Sequence, residues 1–423
     1  MKELFPARDS LANKISYYHL LLLLASLPFD RFYSHIILIS FIVHTLIHFN
    51  KQQAKLVFTL SMFVLQSVFF VTVFSTFYAV NKSTGYNEWG KQITILLFPL
   101  VFCLSSFDLK KYRSSLLLCF SLVCTATIAY LYFDALHIIR HYKLPFSTIF
   151  SAAFVNHNFS EPINMHATFL SMQVVIALVY LLSVLIKQKS LNYKAFYITC
   201  IFILFAGLIQ LCSKSVFFCL FLVINVAIPF FLLDGHKRRN FMMITASVSI
   251  ILIAGILNSG TFRERYVSDL KSDLTDATIG ETTESRLARW RVTGELISTH
   301  PIIGYGAGSE VSLLQNAFYE KKYYNSFLHQ LNAHNQYLSF LLKSGIIGLL
   351  IYIATLIAGF RMAFKRKDLL FFTFMLLIAI VSTSEDILDV DKGVIFYAFF
   401  FSFFSFSSQM AVPAHLTIKK AVN

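Results

Sequence analysis

Three short stretches gather side chains able to hold a departing anion and to take a proton from a hydroxyl. They are Glu284-Ser-Arg-Leu-Ala-Arg-Trp290, His300-Pro-Ile-Ile-Gly-Tyr-Gly306 and Ala333-His-Asn-Gln-Tyr-Leu338. On a helix, Arg286 and Arg289 share a face while Arg291 points elsewhere. A guanidinium is a planar fork of donors matched to phosphate oxygens, and its charge is not titrated away. Gly304, Gly306 and Gly308 predict a turn with backbone amides turned toward an anion. His334 carries an imidazole, a side chain suited to act as a general base toward a hydroxyl. Lys214, between Ser213 and Ser215, puts a second kind of cation at a tight link between two apolar segments, a costly place for an unused charge. Glu385, Asp386, Asp389 and Asp391 form a carboxylate cluster that can bind a divalent cation, orient a sugar hydroxyl or pair with the arginines. His166, near Asn164, opens another apolar segment on the same side, with His157 and Glu161 just before it.

Each group also has a plainer account. The arginines can form a solvated face, and Lys214 can snorkel to an interface. His334 can cap a helix, and the carboxylates can form a wet turn balancing Lys392. The chain has no zinc signature, phosphate-binding glycine loop, nucleophile elbow or dinucleotide fingerprint, so no metal or cofactor is expected.

The elements that must position these groups are set by the solvent. Hydrophobic residues make up 57% of 423 positions. Runs of about 18 or more apolar residues recur, each able to cross roughly 30 Å of hydrocarbon. Backbone groups in lipid must be satisfied within their own segment, so these runs predict helices. About twelve are expected, near 15–29, 32–49, 56–80, 91–107, 114–137, 167–186, 195–212, 215–233, 241–257, 335–360, 368–383 and 393–410. The fold class is therefore all-α, a polytopic membrane protein. The first run lacks a small-residue cleavage site and reads as an anchor.

Basic clusters recur on every second connection: Lys110, Lys111 and Arg113; Lys187, Lys189 and Lys194; Lys237 to Arg239; Arg361 and Lys365 to Lys367. With Lys2, Arg8 and Lys14 at one end and Lys419 and Lys420 at the other, they predict cytoplasmic termini. The net charge of +14 is thus mostly topological, and no nucleic-acid partner is expected. The six cysteines lie in or beside apolar runs without ligand spacing and read as small apolar side chains. The 46 phenylalanines read as lipid-facing bulk.

Three parts follow: residues 1–257 with nine helices, a large outer loop at 258–334, and residues 335–423 with three helices and a tail. Residues 81–90 and 384–392 are expected as short outer loops. Within the large loop, acidic residues 264–284 read as a polar connection. Ser285 can cap a helix running from Arg286 to about Thr299, ended by His300-Pro301. A second amphipathic helix is expected over 309–320.

Together these motifs resemble the core of the O-antigen ligase and O-antigen polymerase superfamily. That core has a Ser-Arg-Ser/Gly tip between two helices, then an Arg-x-x-x-Trp helix followed by Pro-x-x-Gly-x-Gly. It ends in His-Asn-x-Tyr-Leu and a helix with two glycines three residues apart. The matching residues are Ser213-Lys214-Ser215, Arg286 with Trp290, Pro301 with Gly304 and Gly306, His334-Asn335 with Tyr337-Leu338, and Gly345 with Gly348. The resemblance covers roughly residues 160–410. It departs at Lys214, where the family usually has arginine; lysine keeps the charge and loses the bidentate fork.

The resemblance implies a GT-C-like, metal-independent glycosyltransferase of the bacterial inner membrane, with the large loop periplasmic. The donor would be a glycan on undecaprenyl diphosphate and the acceptor most often lipid A-core, as in an O-antigen ligase. A repeat-unit polymerase or a protein O-oligosaccharyltransferase is the alternative within the family. Arg286 and Lys214 would stabilise the leaving diphosphate, and His334 would be the base. Arg289, Trp290, Gly304, Gly306, Asn335, Tyr337, Glu385, Asp386 and His166 would line the substrate site. A lipid or solute transporter is the alternative outside the enzyme class. Transporters carry ionisable groups near the bilayer midplane, whereas the polar residues here collect in outer loops.

Overall fold

The apolar runs fold as helices because nothing else satisfies their backbone in lipid. A computed structural model describes residues 9–49, 54–275 and 285–408. Lys2, Arg8, Lys51, Glu284, Lys419 and Lys420 lie outside the described residues, and with them both ends of the expected orientation pattern. No strand occurs among the described residues.

Each of the expected apolar runs coincides with a helix. The first nine are α1 (Leu11–Ser26), α2 (Arg31–Ile47), α3 (Leu60–Thr76), α4 (Lys82–Leu104), α5 (Leu109–His141), α6 (Ala167–Lys187), α7 (Leu191–Leu211), α8 (Lys214–Leu232) and α9 (Gly235–Asn258). The segment after α9 contributes α10 (Arg286–Thr299) and α11 (Glu310–Glu320). Three long helices follow: α12 (Gln336–Lys365), α13 (Leu369–Val381) and α14 (Asp391–Ser407). By length and apolarity, α5, α6, α7, α8 and α12 can each cross a membrane. A sixth candidate arises if α9 and the 260–273 segment, bent by 100°, count as one span. Helices α2, α3 and α13 are apolar but shorter.

Several expectations change. Residues 81–90 are not a loop. Asn81 accepts from the amides of Ser83 and Thr84 at 3.0 and 3.4 Å and starts α4 there, so Glu88 rides on a helix. Residues 264–273 are not an irregular connection, since helical turns run on to Asp273. The phenylalanines are not simply lipid-facing. Phe371 and Phe374 on α13, and Phe396, Phe399, Phe400, Phe403 and Phe404 on α14, are at most 1% exposed. They fill the interior between α4, α13 and α14 by ring-on-ring packing.

Helix α10 forms as the sequence predicts. Ser285 Oγ accepts from the Ala288 amide at 3.1 Å, and His300-Pro301 ends the helix. Its Val292 packs with Leu314 and Phe318 of α11 and Leu342 of α12. The small subdomain of α10 and α11 is thus seated on the first turns of α12, beside His334. Helix α12 is broken at Gly345, with φ +61° and ψ −164°.

Candidate active site

Four chain segments converge on the turn between α13 and α14. Arg286 Nη1 donates to the Ser384 carbonyl at 3.0 Å. His334 Nδ1 lies 3.6 Å from Glu385 Oε2. Thr168, in the first turn of α6, donates to Glu385 Oε1 at 3.4 Å, and Ser213 donates to Thr168 at 3.5 Å. Arg286 and His334 therefore abut consecutive residues of one turn. The α7–α8 tip that carries Lys214 reaches the same turn through Ser213 and Thr168.

The two cations share a focus. Lys214 Nζ is 3.5 Å and Arg286 Nε 3.6 Å from the same oxygen, Asp273 Oδ2. Sequence reasoning did not single out Asp273. Nothing in its local sequence distinguishes it from the other acids of 264–284.

Glu385 is well enclosed, with a side chain 15% exposed. Burial pushes its carboxyl up, but the adjacent His334 imidazole, with the Arg286 charge and the His166 ring nearby, holds it below the usual carboxylate range. An ionised Glu385 next to Nδ1 orients the His334 ring and leaves Nε2 for a substrate proton. His166 is a different kind of histidine. Burial drives it down to about 4, so it is neutral at physiological pH, and it stacks edge-on against His157 at 4.2 Å. Its Nδ1 is buried with no hydrogen-bond partner among the described residues.

Other predicted residues serve the frame. Trp290 Nε1 donates to the Ala333 carbonyl at 2.8 Å, and Arg289 Nη1 to the Asn332 carbonyl at 3.2 Å. Both clamp the backbone that holds His334 in a left-handed conformation, φ +47°. Asn335, not His334, caps α12: its Oδ1 accepts from Tyr337 and Leu338 amides at 3.0 and 3.2 Å. The Tyr337 hydroxyl donates to the Ala379 carbonyl at 2.8 Å and ties α12 to α13.

The glycine turn is corrected. The amides of Tyr305 and Gly306 donate to the carbonyls of Leu342 and Lys343 at 2.9 and 2.8 Å, and that of Gly304 donates to the His300 carbonyl. They close the gap that Gly345 opens in α12 and do not face an anion. The glycines are needed for room. A Cβ on Gly306, at φ +97°, would lie 2.4 Å from Ala79 Cα.

The acidic turn is also not a solvated one. Asp386 is 3% exposed and neither carboxyl oxygen has a hydrogen-bond partner among the described residues. Burial, with the negative fields of Glu310 and Asp389, pushes it well above the usual carboxylate range. Beside it lies a network that sequence reasoning missed. Lys343 Nζ contacts Asp389 Oδ1 at 2.6 Å and Glu88 Oε1 at 3.5 Å. Glu310 accepts from the Ala333 amide at 3.2 Å and from Ser339, which also donates to Asp389 at 3.0 Å. The signal was Lys343 itself, an ionisable residue inside an apolar run. Among the described residues no group of three or more His, Cys, Asp or Glu side chains has the geometry to hold a metal ion.

Fold and site together define an all-helical integral membrane protein with a cationic, histidine-bearing site at one end of its bundle. Residues 219–353 match the family model described as O-antigen ligase. That stretch, about a third of the chain, is thus similar to the O-antigen ligase domain and supports glycosyl transfer of the ligase and polymerase type in general. The match takes in Arg286, Trp290, Gly306, His334 and Lys343. Lys214, His166, Glu385 and Asp386 are brought to it only by the fold. No curated protein matches the chain.

Proposed function

We propose that the protein moves a glycan from undecaprenyl diphosphate to an acceptor hydroxyl at the periplasmic face of the bacterial inner membrane, as an O-antigen ligase with lipid A-core as acceptor. The observation that carries this reading is the convergence of Lys214 and Arg286 on one carboxylate oxygen of Asp273. Two cations from separate segments face a single point where an anionic oxygen sits, and a diphosphate oxygen has the same charge and hydrogen-bonding character.

The chemistry follows from those positions. The acceptor oxygen attacks C1 of the donor sugar, and its proton passes to His334 Nε2. The bond from C1 to the phosphate oxygen breaks, and its electron pair leaves with the diphosphate. Arg286 and Lys214 stabilise that growing charge. Fixed donors of this kind are worth about 10²–10³ in rate when one is removed. Glu385 keeps the imidazole oriented and stabilises the imidazolium that forms. Arg289 and Trp290 hold the 332–334 backbone, while Asn335 and Tyr337 fix the start of α12.

Lipopolysaccharide from a strain lacking the gene tests this. A ligase predicts loss of long chains on the core, with lipid-linked polymer accumulating, and rescue by the wild-type gene. A single repeat left on the core would instead mean a polymerase. Unchanged lipopolysaccharide would remove the reading.

A further inference from the structure

An open cavity lies well away from the His334 site. It has a volume of about 710 Å³ and lies between the start of α5, the end of α6 and the α12–α13 link. Helix α6 begins beside His166 and ends at Lys187, and its 21 residues span about 30 Å at 1.5 Å each. The cavity is therefore roughly a bilayer's hydrocarbon thickness away from the candidate active site.

Its lining mixes cationic, hydroxyl and apolar side chains. Lys110, Arg113, Lys187, Arg366 and Lys367 come to it from three separate segments. Only Asp368 opposes them, and it is already engaged by Arg113 at 2.7 and 2.8 Å and by the Phe371 amide. Arg113 is further held over the Phe404 ring at 5.4 Å, and Arg366 donates to the Ser405 carbonyl at 2.6 Å. The two guanidiniums are thus fixed. Lys110, Lys187 and Lys367 have no ion-pair partner among the described residues. Leu117, Val184, Leu369 and Leu370 line the same cavity, among the hydroxyls of Ser114, Tyr180, Ser183 and Ser407.

Charge sidedness alone would spread lysines over a convex, wet surface. It gives no reason for three segments to meet in one concavity beside leucines. We propose that this cavity binds the phosphate of an anionic phospholipid headgroup, with the first acyl carbons against the leucines. Basic pockets between spanning helices suit such headgroups, and a free phosphate would have no use for the apolar side chains.

The test uses the purified full chain in detergent, with retained lipid counted after exchange against phosphatidylglycerol, phosphatidylcholine or inorganic phosphate. The probe variants are the triple change K110Q/K187Q/K367Q and its conservative counterpart K110R/K187R/K367R. A lysine near such a headgroup is worth about fivefold each at low salt. The glutamine variant should retain over tenfold less phosphatidylglycerol, the arginine variant should match wild type, and phosphatidylcholine should be retained poorly by all three. Wild-type retention should also fall steeply with salt, a readout that needs no variant to fold. Equal retention of both lipids, salt-independent retention, or a glutamine variant that keeps its phosphatidylglycerol would overturn the proposal. Displacement of phosphatidylglycerol by an equal concentration of inorganic phosphate would do so too.

Discussion

Asp273→Asn removes the carboxylate from the meeting point of Lys214 and Arg286 while keeping the side chain's shape. In the proposed reaction that carboxylate would compete with the donor's phosphate. The pairs are 3.5 and 3.6 Å long, and the three side chains are 23–29% exposed. Partly exposed pairs of this kind contribute about 0.5 kcal/mol each. Losing both should favour an incoming anion by about 1 kcal/mol, or roughly fivefold in Kd. Equilibrium binding of undecaprenyl diphosphate to the purified protein at low salt reads this directly. Asp273→Glu, which keeps the charge, should bind close to wild type. The gain should vanish near 1 M salt, where the screening length is about 3 Å. If Asp273→Asn binds the lipid diphosphate no more tightly than wild type, the carboxylate does not stand where the phosphate goes.

Other consequences are equally specific. Burial raises Glu310 from 4.5 to about 7, with Lys343 and Asp389 opposing each other beside it. The folded state then holds a proton that the unfolded state releases, so this group's contribution to stability falls as pH rises from about 4.5 to about 7. Glu310→Gln should flatten that fall in thermal unfolding curves at pH 5 and 7.5; an unchanged slope would reject it. Gly306→Ala brings Cβ within 2.4 Å of Ala79 Cα at φ +97°. It should cost at least about 2 kcal/mol, seen as a lower Tm in detergent. Trp290→Phe leaves the Ala333 carbonyl without its 2.8 Å donor. The cost of about 1–3 kcal/mol should appear as slower transfer with donor binding intact, and weakened donor binding would contradict the clamp.

How much of this was legible in the sequence depends on the kind of signal each residue carries. The limits of α10 were readable because Ser285 and His300-Pro301 act locally on the backbone. The helices themselves were readable because lipid leaves no alternative to them. His334, Arg286 and Lys214 were readable as chemistry-bearing types, yet their relation runs through Asp273 and Glu385, which depends on tertiary placement. The turn at Gly304 and Gly306 looked like an anion cradle because sequence shows which amides exist, not which carbonyls meet them. Those carbonyls belong to Leu342 and Lys343, left open by the break at Gly345. Glu88 was hidden by a polar stretch that reads as loop. Glu310 looked like an ordinary first-turn acid favoured by the helix dipole. Asp386 was indistinguishable from its acidic neighbours, because burial of a turn is decided by Ile387 and Leu388 packing inward at 0% exposure.

The central claim is that fixed cations hold the departing diphosphate while His334 readies the incoming hydroxyl. It is tested most directly by measuring, on the same purified preparations, undecaprenyl-diphosphate binding and single-turnover glycan transfer for wild type, Arg286→Ala and His334→Ala. The account predicts that His334→Ala binds the lipid diphosphate like wild type but transfers at least about 10²-fold more slowly. Arg286→Ala should lose both binding and about 10²–10³ in rate. Transfer by both variants at the wild-type rate would contradict it.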